Sequence, residues 1–192
     1  MESVADKLYR YILSLDEVES KYILQDLPRW VEITNAPKDA AFVELWVKRQ
    51  EFRTLIKYRV KMAEKQMVGC RVSMVDIRKI VGNSSSLYVS NLFISCNYIG
   101  AGFYIEHGFS TIIFAKRIGK NFWVNQNVTI GTGSIGNPII QDNVRVGANS
   151  VIIGGITVQD DVTIGAGTTL NFEVEAGSTV VSQKARVLPR SK

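Results

Sequence analysis

The hydrophobic positions of this chain follow two different rules. In the first half they fall three and four residues apart, as on one face of a helix. Leu8, Tyr11, Ile12 and Leu15 form one such stripe after Ser3, a residue type that caps helix N-termini. Leu27-Pro28 breaks the pattern. Pro37 suits the first turn of a second helix. From there Phe42, Leu45, Trp46, Phe52, Leu55, Ile56 and Arg59 make a broad stripe running toward Glu64. A short third helix is predicted around Met74–Ile80, ending at Val81-Gly82. The polar run at 83–86 reads as a linker.

In the second half the period is six. Aliphatic residues recur at Ile99 and Ile105, at Ile118, Val124 and Ile130, and at Ile140, Val146, Ile152, Val158, Ile164 and Leu170. Four residues after many of them stands an apolar or small hydroxyl residue: Phe103, Phe122, Val128, Val144, Ser150, Ile156, Val162 and Thr168. Six fits neither a helix nor strand alternation. It fits a parallel β-helix in which each repeat is one side of a coil and three repeats close a turn. Two slips interrupt the step, Ile105 to Ile118 and Ile130 to Ile140. Each predicts a bulge or loop leaving the coil, where sites are built on rigid scaffolds. One follows His107 and the other contains residues 133–138. The expected organisation is an α-helical region at 1–86, a β-helix at 87–183 and a basic tail at 184–192.

Composition sharpens this division. Of the 15 glycines, two precede residue 90. The chain has 192 residues, 46% of them apolar, and no run long enough to cross a bilayer. Its polar N-terminus does not read as a secretory leader, so a cytoplasmic location is expected. Two cysteines, Cys70 and Cys96, exclude a disulfide scaffold and a cysteine zinc site. The single histidine, His107, excludes a multi-histidine metal site, and no metal is expected. It also leaves one imidazole for acid–base chemistry near neutral pH. The net charge of +5 includes a basic series from Arg49 to Lys65. Glu44, Glu51 and Glu64 intersperse that series, so it reads as a solvated helix face rather than a nucleic-acid surface. Cys96 reads as an apolar filler, and Asp160-Asp161 as a solvated turn.

The repeat resembles the left-handed parallel β-helix of the hexapeptide-repeat acyltransferases. Residues 99–108, ending Ile-Glu-His-Gly, with 128–131, 146–155 and 164–167, resemble serine acetyltransferase and its polysaccharide-associated relatives. The resemblance spans about 88–188. It implies acetyl-CoA as acyl donor, a homotrimer with sites between subunits, and His107 as the general base of a hydroxyl acetylation. It further implies that Glu106 helps hold the acceptor. Gly131, Gly147, Ala148, Gly165 and Ala166 would let the pantetheine lie close to the backbone, and Lys184 and Arg186 would meet the CoA phosphates.

Two positions depart from that family. The aspartate that orients its histidine is Leu92 here, so a carbonyl, Asn91 or Glu106 would have to substitute. Its Arg-His-Pro segment, which grips the serine carboxylate, is Gly136-Asn137-Pro138. A sugar hydroxyl needs no such arginine, and Asn137 could offer it an amide. A sugar of a surface polysaccharide is therefore the expected acceptor. The alternatives are L-serine, as in cysteine biosynthesis, and a non-catalytic β-helix scaffold.

Overall fold

The computed structural model describes residues 2–82, 89 and 91–183. Helices come first: α1 (Val4–Leu13), α2 (Glu17–Leu24), α3 (Leu27–Thr34), a 3-10 turn (Lys38–Ala40), α4 (Ala41–Lys48), α5 (Gln50–Gln66) and α6 (Met74–Val81). Ser3 caps α1 in a reciprocal box with Asp6, and Asp16 caps α2 through the Glu19 N–H at 2.9 Å. The break at Leu27-Pro28 proves to be a helix start. Proline sits in the first turn of α3, where its missing N–H leaves no bond unmade. The long stripe toward Glu64 is two helices. Arg49 is extended at φ −124° and ψ 108°, and it turns α4 into α5 while both faces still reach one core. Ser73 caps α6, and Gly82 ends it at φ 80°.

Among the described residues thirteen short strands follow: β1 (Leu92–Ile94), β2 (Tyr104–Ile105), β3 (Thr111–Ile113), β4 (Arg117–Ile118), β5 (Trp123–Val124), β6 (Thr129–Gly131), β7 (Ile139–Ile140), β8 (Arg145–Val146), β9 (Val151–Ile153), β10 (Thr157–Val158), β11 (Thr163–Ile164), β12 (Thr169–Leu170) and β13 (Thr179–Val180). They form three parallel sheets. The first runs β1-β3-β6-β9-β12, the second β4-β7-β10 and the third β2-β5-β8-β11-β13. This is a left-handed parallel β-helix, with each sheet as one side of the coil.

The six-residue period now has a physical cause. One aliphatic residue of each strand points inward and stacks on its equivalent in the next coil. Ile113, Ile130, Ile152 and Leu170 make the first column, and Ile105, Val124, Val146 and Ile164 the third. The residues four further on fill the corners, from Phe103 to Thr168, and all are buried. Between strands the chain turns through left-handed residues. Asn121, Asn143 and Asp161 form one such corner column, and Asn127, Asn149 and Gly167 another. Asparagine, aspartate and glycine are the residue types that tolerate this conformation. The Asn121 amide donates to Asn143, and Asn143 to Asp161, both at 2.9 Å. Asp161 is thus an exposed turn residue, as its sequence context indicates. Truncating the column at Ile130 to alanine is expected to cost about 2–5 kcal/mol, read as a lower denaturation midpoint at unchanged slope.

The helices are bolted to the top of the coil by polar side chains. Asp26, fully buried, accepts from Arg59 Nε at 2.8 Å, Arg59 Nη2 at 3.0 Å and the Phe103 N–H at 2.9 Å. Arg59, also fully buried, donates onward to the carbonyls of Ile99 at 2.6 Å and Gly100 at 2.8 Å. Trp30 Nε1 donates to the Phe103 carbonyl at 2.9 Å, and the Tyr58 hydroxyl to that of Cys96 at 3.0 Å. These contacts fix the segment that leads into β2 and His107.

Candidate active site

Strand β2 places Ile105 inward and Tyr104 outward, and the Glu106 N–H still pairs with the Val124 carbonyl at 2.8 Å. There the chain leaves the coil. The Gly108 N–H returns to the Glu106 carbonyl at 2.8 Å, and the Phe109 N–H to that of His107 at 2.5 Å. His107 and Gly108 take positive φ of 62° and 39°. These are two successive three-residue turns, a conformation of the sparse, strained kind that recurs at functional positions. The chain rejoins the coil at Phe109, whose carbonyl accepts from Asn127.

The same corner in the next coils contains no such detour. Asn125 pairs with the Val146 carbonyl, and the next residue, Gln126, already accepts from Asn149. Gly147 and Ala148 repeat the pattern with Ile164 and Gly167. His107-Gly108 is therefore a two-residue insertion. The apparent thirteen-residue slip resolves into eight residues from Ile105 to Ile113 and five from Ile113 to Ile118.

The insertion lifts His107 out of the coil, with its side chain 56% exposed. Glu106 Oε1 stands 3.6 Å from His107 Nε2. That is outside hydrogen-bond reach and inside ion-pair range. Tyr104 bonds to Glu106, and burial and the Glu106 charge push its phenol up to about 12. Beneath the turn, the Leu92 and Val89 side chains lie 3.5 and 3.8 Å from where a Cβ on Gly108 would sit. Leu92 is thus close under the turn and presents an aliphatic group to it. Thr111, fully buried, ties the exit of the turn to the next coil through the Asn125 carbonyl and the Val128 N–H.

The residues singled out in the sequence divide between two corners. Asn91, Glu106 and His107 share one, with Gly147-Ala148 and Gly165-Ala166 further down the same corner. Asn91 precedes β1 at φ 57°, and its carbonyl holds the Thr111 N–H at 3.1 Å. Gly147 has a packing reason of its own, since a Cβ there would meet the Ala166 nitrogen at 2.6 Å. Gly147→Ala is therefore expected to lower thermal stability whether or not ligand is present, measured by melting with and without CoA.

Gly131 and Asn137 belong to the other corner, beyond the first sheet. A Cβ on Gly131 would meet nothing within 4 Å, and Gly131 lies in register with exposed Phe114 and Ile153. Asn137 Oδ1 accepts from the Thr132 hydroxyl at 2.5 Å. The loop around it closes through Gly133 and Gly136 and seats on Gly154-Gly155. Lys184 and Arg186 lie outside the described residues, as does the linker at 83–86. Cys96 is buried at the far corner, and burial pushes its thiol up.

Two groups at the site carry no periodic or motif signal. One is Tyr104, the partner of Glu106. The other is Gln126, whose Oε1 is buried without a hydrogen-bond partner at the corner position that Phe109 occupies one coil above.

Fold and repeat together define a parallel β-helix built on a six-residue repeat. Residues 137–171 match the family described as bacterial transferase hexapeptide (six repeats). The chain is 41% identical over 93 residues to WcaB of Escherichia coli (strain K12), a protein named for an acetyltransferase role in colanic acid biosynthesis. That match covers 46% of this chain and 57% of WcaB. Among solved structures, serine acetyltransferase isoform 3 of Entamoeba histolytica superposes with a TM-score of 0.69 at 21% identity, over 98% of this chain and 71% of that one. Soybean serine acetyltransferase superposes at 0.65 and 20%, over 95% and 74%.

Proposed function

We propose that the protein is an acetyl-CoA-dependent O-acetyltransferase that acetylates a sugar hydroxyl in a surface-polysaccharide pathway. The observation that carries this reading is the position of its one histidine. His107 stands on a two-residue insertion above a corner of small residues, on a scaffold shared with serine acetyltransferases. The WcaB likeness favours a polysaccharide acceptor.

In this mechanism the His107 imidazole takes the acceptor hydroxyl proton while that oxygen attacks the acetyl carbon of the thioester. The oxygen–carbon bond forms, the carbon–sulfur bond breaks, and His107 returns the proton to the departing thiolate. Glu106, at 3.6 Å, stabilises the imidazolium between those two steps. At water-like dielectric a pair at that distance is worth about 1 kcal/mol. Glu106→Gln is therefore expected to lower kcat roughly five- to tenfold, checked by steady-state kinetics.

Donor binding is assigned to Gly131, Gly147, Ala148, Gly165 and Ala166, with Lys184 and Arg186 toward the phosphates. The open face over Gly131 fits the pantetheine chain, and the orphaned Gln126 Oε1 fits an amide N–H donor. The active unit is a cytoplasmic homotrimer. Phe93, Ile112, Phe114 and Ile153 leave an exposed apolar stripe on the first sheet that a second subunit would cover. No helix among the described residues is long and apolar enough to cross a membrane.

A panel of free sugars, nucleotide sugars and serine, offered with acetyl-CoA, tests the acceptor. Acetylated sugar is expected. Serine turnover exceeding that of every sugar would contradict the reading.

A further inference from the structure

Resting on that acetyl-transfer reading, we infer that the groove between α3 and the Asn121–Asn143–Asp161 corner binds a neutral stretch of the acceptor glycan, so that the enzyme acts on an assembled oligosaccharide. Two hollows of about 300 and 290 Å³ meet there and share Arg29 and Asn121. One reaches from Gln25 to Lys120, and the other is bounded by Asn143, Arg145 and Asp161. The corner joins the second and third sheets and lies across the coil from the apolar stripe of the first sheet.

The polar groups of this groove are held in place by the fold itself. Asn121 Nδ2 donates to Asn143 Oδ1, and Asn143 Nδ2 to Asp161 Oδ1. Among the described residues this leaves Asn121 Oδ1 and Asp161 Oδ2 as acceptors without a donor. The Arg145 guanidinium lies 4.9 Å from the centre of the Trp123 ring, which fixes its plane, and it makes no ion pair among the described residues. Arg29 is paired with Glu32 at 2.9 Å. Gln25 Nε2 is buried without a hydrogen-bond partner, a donor that costs free energy until an acceptor reaches it.

Donors and acceptors therefore alternate along the groove, with charges of both signs. A sugar hydroxyl donates and accepts at once and matches such a wall. A lone anion would meet Glu32 and Asp161, and a lone cation would meet Arg29, Lys120 and Arg145. A protein segment would find little to anchor on, since Pro28 and Ala101 are the only apolar side chains among the described lining residues. The groove also stands in line with the His107 corner. Asn121 and Asn125 flank β5, and Asn125 follows Val124, the register partner of Ile105, as Glu106 follows Ile105. Four residues at ~3.3 Å each separate the two asparagines by about 13 Å, more than one sugar ring. Half-buried Trp123 lies between them. A glycan seated in the groove reaches His107 with a later unit, and a monosaccharide cannot occupy both places.

The test separates binding from turnover. The His107→Ala protein is titrated onto an array of bacterial oligosaccharides of two to six units, printed beside their component monosaccharides. At least one neutral oligosaccharide is expected to bind at least tenfold more tightly than any of its monosaccharides, with little response to salt. Asp161→Asn keeps a residue that tolerates the left-handed turn and accepts from Asn143, and it replaces the free oxygen by a donor. It is expected to weaken that binding at least tenfold, as is Arg145→Ala. In the active enzyme, either variant is expected to lower the ratio of kcat/KM for that oligosaccharide over its monosaccharides at least tenfold. Binding of acidic glycans alone, no preference for an oligosaccharide over its monosaccharides, or a preference surviving in either folded variant overturns the inference. Oligosaccharide binding that both variants weaken, with no acetyl transfer by the wild type, would leave the site standing and remove the enzymatic reading instead.

Discussion

Replacing His107 by alanine is expected to lower acetyl-CoA-dependent acetylation by about 10²–10⁴-fold, the range a positioned general base contributes. Melting temperature should move little, because the side chain is largely exposed and stands on an insertion outside the stacked coil. The left-handed backbone at φ 62° calls for a second variant. His107→Asn puts in a residue that tolerates this conformation and has no basic nitrogen. The same loss in both variants locates the effect in the imidazole rather than in the turn. A wild-type rate in either would favour a β-helix scaffold without catalysis.

The second large effect concerns stability. Removing one partner of the Asp26–Arg59 pair, by Asp26→Ala or Arg59→Met, is expected to cost about 3–5 kcal/mol. For a chain of this size that is a fall of roughly 6–20 °C in Tm, read by calorimetry. The cost arises because both groups are fully buried: Asp26→Ala leaves a guanidinium without its counter-charge, and Arg59→Met leaves a carboxyl that burial, which already raises its pKa, drives to its neutral form with its charge-assisted bonds lost. Burial alone would lower the Arg59 pKa, but Asp26 beside it holds the guanidinium charged. The double variant Asp26→Leu/Arg59→Met is expected to recover part of the loss, since it leaves no lone charge. Loss of function should accompany loss of stability, because Asp26 and Trp30 both hold Phe103 at the entrance to β2.

These two predictions mark where the sequence is readable and where it is not. The β-helix is legible because its cause is local: every sixth residue enters the same column, so the period survives in the string. The corner asparagines could have been read the same way, since Asn127 and Asn149 fill equivalent turns. The insertion at His107 is visible as a slip, but its size is not. Ile94 and Ile113 belong to the first column, and a compensating short step to Ile118 hides the two extra residues. In the helical half, proline and arginine mislead. Pro28 opens a helix instead of breaking one, and Arg49 divides a stripe whose apolar pattern continues across it.

The polar contacts were the least legible. Asp26 and Arg59 are 33 residues apart and meet Phe103 and Ile99 only after the helices dock on the coil. No spacing encodes that. Tyr104, Glu106 and His107 fall within four consecutive residues, yet the pairing of Tyr104 with Glu106 needs the strand geometry that turns Ile105 inward between them.

The most direct measurement follows the acyl group itself. The wild-type protein is incubated with acetyl-CoA labelled in the acetyl carbonyl, with and without each acceptor of the panel of sugars and serine. The account predicts stoichiometric free CoA and label in an oxygen ester of the sugar, with none retained covalently on the protein. Label retained on a protein side chain, or no CoA release above the acceptor-free rate across the panel of sugars and serine, would contradict it.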